Sequence, residues 1–172
     1  MDSMGGEMSW KNDKRWSDKF ICKITPILGA NFIAEPPIEE DRDRNTDLIV
    51  LNLKEIRFGC RIRKNDYYSR YPNEFTIRSK RPSGQETEIK KIMNGWGDYF
   101  FYGFANKDET DLIDWFIGDL LVLREWIINQ KKQGRTKKKD WNIKNNIDDS
   151  SEFLILNKKD LPHNFIFASK FQ

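Results

Sequence analysis

The segment WGDYFFYGFAN, residues 96–106, constrains the fold more than any other part of this sequence. Five of the six residues from Tyr99 to Phe104 are aromatic. A strand so uniformly apolar has no side to give to water, so it must run through the middle of a sheet with both faces covered. Two helices are legible elsewhere in the chain. Trp16, Phe20, Ile24 and Ile27 recur at helical spacing, with Pro26 expected to end or kink that helix and Gly29 to stop it. Asp119 is placed to cap a second helix from Leu120 to Gln133, with Gly134 as its stop.

The remaining elements follow from periodicity and turn residues. NFIAEPP reads as a short strand entering a proline-bounded loop, and the acidic stretch IEEDRDRN follows it. TDLIVLNLKEIRFGCRIR, residues 46–63, reads as a hairpin turning at Leu53–Glu55, which sets Asp47 opposite Arg61 and Ile49 opposite Gly59. Its clean apolar face sets Leu48 and Val50 against Phe58 and Cys60, predicting a buried free thiol. NDYYSRYPNE is expected to be a loop, and EFTIRS a strand. Ser83-Gly84-Gln85-Glu86 has the form of a capping box, opening a helix that ends at Gly95. IDWFIGD, SEFLILN and NFIFASKF are further strands, and Arg135–Asn146 a basic exposed loop. With no repeat and no dividing linker, residues 1–172 form a single α+β (α/β-like) domain. It has a mixed central sheet flanked by helices, a core over residues 16–105 and a C-terminal extension over 106–172.

Residue counts exclude several chemistries. One histidine and two cysteines leave little material for a His/Cys metal site, a His-based triad or a disulfide framework. No apolar leader opens MDSMGGEMSWKNDKRW, and the apolar stretch Trp115–Ile128 is broken by Asp119, Arg124 and Glu125. An intracellular, cytoplasmic protein without a membrane span is expected. The net charge of +3 comes from 30 basic against 27 acidic residues, so its distribution says more than its size.

The order helix, short strand, strand beginning with Asp47, strand bearing a charged pair, helix, strand resembles the core of the PD-(D/E)XK (restriction-endonuclease-like) nuclease superfamily. The resemblance covers about Trp16 to Phe104 and rests mostly on element order. It implies a restriction-endonuclease-like core acting on nucleic acid. There, an Asp and the Glu of E-x-K on adjacent strands hold Mg²⁺, which polarises the phosphoryl oxygen and activates water. Carried over, Asp47 takes the Asp position, Arg61 the Glu position and Arg63 the Lys position. This departs from the family, since an arginine neither ligates Mg²⁺ nor acts as a base. The further metal ligands on this reading come from Glu40, Asp43 and Glu88, and Arg63 stabilises charge on the phosphate. The second reading is a catalytically inactive relative that binds nucleic acid or a protein, for example an accessory protein of a phage or mobile element, with Arg61 and Arg63 replacing the metal's charge.

Tyr67, Tyr68 and Arg70, with Arg78, Lys80 and Arg81, form the candidate nucleic-acid contacts: tyrosines to stack on bases and cations to meet phosphates. The bland alternative is a set of tyrosines packed on a sheet. Lys137, Lys138 and Lys139 read as a solvated loop with non-specific phosphate attraction, Glu88 and Lys91 as a surface pair or equally part of a site, and Trp96 as a core residue.

Overall fold

The computed structural model describes residues 15–16, 18–34, 49–50, 56–81, 84, 86–135, 137–146 and 151–171. They form an α+β protein with a mixed four-stranded sheet, a smaller antiparallel sheet and a few helices. The chain runs α1 (Ile21–Phe32), β1 (Ile33–Ala34), β2 (Ile49–Val50), β3 (Phe58–Arg63), α2 (Asn65–Arg70), β4 (Glu74–Lys80), α3 (Glu88–Met93) and β5 (Tyr99–Ala105). It continues through β6 (Leu112–Asp119), α4 (Leu120–Lys132), β7 (Ile143–Asn145), β8 (Glu152–Asn157) and β9 (Ile166–Ser169). The central sheet has the order β3-β5-β6-β9, with β3 parallel to β5 and the other pairs antiparallel. The small sheet has the order β4-β8-β7.

The aromatic run is buried on both faces, as its composition demands. Phe100, Tyr102 and Phe104 point into the main core with Phe75 and Ile77 of β4, Leu154 and Leu156 of β8, and Leu123 and Ile127 of α4. Phe101 and Ala105 point the other way, where Phe20 and Ile24 cover them. The molecule is therefore layered: α1, then the central sheet, then the small sheet with α4. Residues beyond 105 are integral to this packing, since β6, β8 and β9 all contribute buried side chains.

Several local expectations change. Helix α1 runs through Pro26 and past Gly29 to Phe32, because Ile27 and Leu28 beyond the proline pack on the same cluster as Ile24, which outweighs the local cost of the lost hydrogen bond. The tyrosine-rich stretch is the helix α2, not a loop, with Arg70 paired to Asp66 one turn back at 2.6 Å. Helix α3 starts at Glu88 and is capped by Thr87, whose hydroxyl accepts from Lys90 N; Ser83 and Gln85 lie outside the described residues. Glu86 instead accepts from the Asn94 amide at 2.9 Å. Cys60 is exposed and not buried, since the cluster under α1 takes Ile62 of the same strand face and not Cys60. Residues 137–146 are mostly exposed, as expected, but carry built structure: Arg135 donates to Asp140 O and lies over the Trp141 ring at 5.0 Å, and β7 follows.

The strand EFTIRS forms as expected but belongs to the small sheet. Among the described residues β2 pairs with β1, and no ladder joins β2 to β3; Asp47, Leu48 and the turn at 53–55 lie outside them. Asp119 caps α4 by accepting from Leu121 N and Val122 N, and Gly134 follows in the left-handed region at φ 98°. Among the described residues, no helix is long and apolar enough to cross a membrane.

Candidate functional site

Strand register determines where the two arginines of β3 point. Arg61 pairs with Tyr102 and Arg63 with Phe104, so both guanidiniums leave the sheet on the face that carries the main core. The core's wall of rings thus gives way at this edge to two cations. Between them, Ile62 points to the opposite face and is buried against α1's cluster.

The guanidiniums are fixed by groups from five other elements. Arg63 Nε donates to the Tyr102 hydroxyl at 3.0 Å, and its Nη2 donates to Thr76 Oγ1 on β4. The Arg63 guanidinium also lies 4.8 Å from the Tyr67 ring centre, on α2. Arg61 Nη2 donates to Glu88 Oε2 at 2.6 Å, and the same oxygen accepts from Arg78 N at 2.9 Å. Arg61, Arg63 and Arg78 all gather around the Phe153 ring of β8, at 5.7, 5.7 and 5.5 Å. Arginine stacks on rings while its edge keeps donors for a further partner, which lysine cannot do. Burial pulls the Arg61 pKa below its ordinary value, Glu88 opposes that, and the Arg63 charge adds to it. Arg61 stays protonated all the same.

Two open cavities of about 390 and 440 Å³ meet at Arg61 and Arg78. The larger adds Arg63, Lys64 and Tyr67, and its carboxylate, Asp66, is the one tied to Arg70. The smaller adds Arg57, Arg81 and Lys91, against Glu86 and Glu88. Both are rich in cations. Among the described residues no carboxylate pairs with Arg63: neutral hydroxyls and ring faces hold it.

Of the residues singled out by sequence, the structure gathers Arg61, Arg63, Tyr67, Arg78, Arg81 and Glu88 along this cleft. Tyr68 packs on Phe104 instead, with ring centres 5.2 Å apart, which is the bland reading of that tyrosine. Arg70 is held by Asp66, and Lys80 pairs with Glu152 at 3.7 Å. Asp47, Glu40 and Asp43 lie outside the described residues. Glu88 and Lys91 do not make the expected surface pair, since Glu88 turns to Arg61. Trp96 is 65% exposed, so it is no core residue, and it lines the smaller cavity. Arg57, Thr76, Tyr102 and Phe153 were not among the sequence candidates; only the fold brings them to β3.

Glu88 is the described member of the carboxylate set considered for Mg²⁺. Its Oε2 already accepts two hydrogen bonds, one from a guanidinium, and no group of three His, Cys, Asp or Glu side chains among the described residues could hold a metal ion. The described residues therefore do not fit a magnesium site. Their chemistry is that of an anion receptor: fixed cations, a hydroxyl pair and aromatic faces. Compared with protein-family models, with curated proteins and with solved structures, the chain matches none.

Proposed function

We propose that this chain binds nucleic acid in the cleft between β3 and β4, on a nuclease-like scaffold related to the restriction-endonuclease-like fold, with arginines standing where such a nuclease would carry its metal-binding charge. One observation carries the reading. Arg63 is positioned by Thr76, Tyr102, Tyr67 and Phe153, all uncharged, and no carboxylate among the described residues offsets it. A guanidinium held this way retains its full attraction for an anion and costs little further ordering when one arrives. Arg61, which Glu88 offsets, and Arg78 gather at the same ring and extend the site beyond what a single small anion would use. The parallel β3–β5 pair and the preceding α1 support the nuclease-like scaffold by element order. The engaged Glu88 favours binding over metal-dependent hydrolysis.

The test is an anisotropy titration of labelled DNA and RNA oligonucleotides across a range of KCl concentrations, with and without Mg²⁺. Affinity is expected to fall linearly in log–log form with salt. Arg63→Gln is expected to weaken binding by about 10- to 100-fold, the loss of a charged hydrogen bond, and to flatten the salt slope by about 1. Arg63→Lys, which keeps the charge, should recover part of the affinity. Equal binding by wild type and Arg63→Gln at every salt concentration sinks the reading, and Mg²⁺-dependent cleavage would restore the hydrolytic one.

A further inference from the structure

Trp96 is the least expected feature of the cleft. It follows α3, whose end is a Schellman motif: Gly95 N donates to Ile92 O at 3.0 Å, and Trp96 N donates to Lys91 O at 3.0 Å. The residue in Trp96's place ordinarily packs an apolar side chain back onto the last turn of the helix. Here that turn presents Lys90 and Lys91, which offer no apolar seat. Gly95 and Gly97, on either side, both take left-handed backbone at φ 87° and 81°, so the chain reverses direction around the indole.

The turn is also firmly anchored. Asp98 N donates to Arg57 O and Arg57 N donates back to Asp98 Oδ2, while Leu120 N donates to Asp98 O. Arg124 Nη1 reaches both Ile92 O and Gly97 O, bridging the start and end of the turn. Trp96 is therefore an exposed indole on a backbone tied to β3, α3 and α4, at the rim of the cavity that holds Arg61, Arg78 and Lys91. An exposed indole on an anchored backbone, lining the same cavity as these cations, is suited to stack an unpaired base while the backbone phosphates meet the charges. In a duplex the bases are already stacked on one another, so the indole gains nothing there.

Resting on the nucleic-acid reading above, we infer that the cleft takes single-stranded nucleic acid, with Trp96 stacking one of its bases. Binding then quenches the indole fluorescence and favours a single strand over the duplex of the same sequence.

The experiment titrates single-stranded and duplex oligonucleotides of one sequence into the wild type, Trp96→Ala, Trp96→Phe and Arg63→Gln, following anisotropy and tryptophan fluorescence. Trp96→Ala is expected to weaken the single strand by about 5- to 100-fold and leave the duplex nearly unchanged. Trp96→Phe should lose less, because a ring remains. Because the indole is exposed, its removal should leave the thermal melt in place. If Arg63→Gln weakens binding but Trp96→Ala leaves the ratio of single strand to duplex unchanged, stacking is wrong and the cleft reading stands. If neither variant matters, or an acidic peptide binds as well as the oligonucleotide, both fall.

Discussion

Glu88 and Glu109 make a useful pair, because each is one carboxylate drawing in cations from distant parts of the chain. Glu109 Oε2 accepts from Trp16 Nε1 and Lys19 Nζ, both at 2.6 Å, and Lys64 Nζ lies 3.6 Å from Oε1. The Lys19 and Trp16 hydrogen bonds push its pKa down to about 2. Glu88 meets Arg61 and the backbone of Arg78. The lysines around Glu109 are exposed, flexible ammonium groups whose partner is that carboxylate. Near Glu88, Arg63 is held by hydroxyls and rings, and Arg61 by Glu88 itself. The Glu109 cluster fastens the N-terminal helical segment to the loop after β5. The Glu88 cluster leaves Arg63 without a carboxylate among the described residues. What marks a site in this molecule is how its cations are fixed, more than how many ion pairs it contains.

Removing each carboxylate tests that contrast. Glu88→Gln should have the larger effect, costing about 1–3 kcal/mol of stability because the half-buried Arg61 guanidinium loses its counter-charge. The same substitution should tighten nucleic-acid binding. Chemical denaturation and anisotropy read the two effects, and a variant that loses stability without gaining affinity would make Glu88 part of the binding surface rather than its restraint. Glu109→Gln should lower stability less and leave affinity nearly where it was.

The Glu109 contribution should also depend on pH. A carboxylate whose folded pKa is depressed stabilises the fold above its ordinary value of 4.5, and that contribution fades as pH falls toward about 2. Urea midpoints of wild type and Glu109→Gln should therefore differ at neutral pH and converge in acid; a constant gap would assign the effect to packing. The smallest expected difference is between Glu109→Gly and Glu109→Ala. Glu109 sits at φ 54°, which glycine adopts freely, so Gly should be the milder of the two in the same melts.

The parts of this architecture legible from sequence are those that a short window decides. The Tyr99–Phe104 run could only be a central strand, and Asp119 and Gly134 bracket α4 by local backbone chemistry. Pairing arises at longer range. Nothing in EFTIRS says whether it joins the aromatic strand or, as it does, β8 some 75 positions later. Arg61 and Arg63 were recognisable as a pair pointing to one side, but their partners Thr76, Glu88, Tyr102 and Phe153 are assembled by tertiary contacts. Trp96 misleads for a physical reason. Tryptophan is usually covered, and its exposure here follows from two left-handed glycines and two lysines on the preceding turn.

The pairing of β4 with β8, and the stacking of Phe165 on Phe75 at 5.5 Å, also set an order of events during folding. The main core closes only when segments far apart in the chain have found each other, and such non-local closure is slow. Until then the rings of β5 have only the partial cover of β4, α3 and α4 on the side that faces the small sheet. A chain emerging from the ribosome therefore carries this aromatic strand incompletely covered over the interval between β5 and Phe165, the stage at which aggregation is most to be expected.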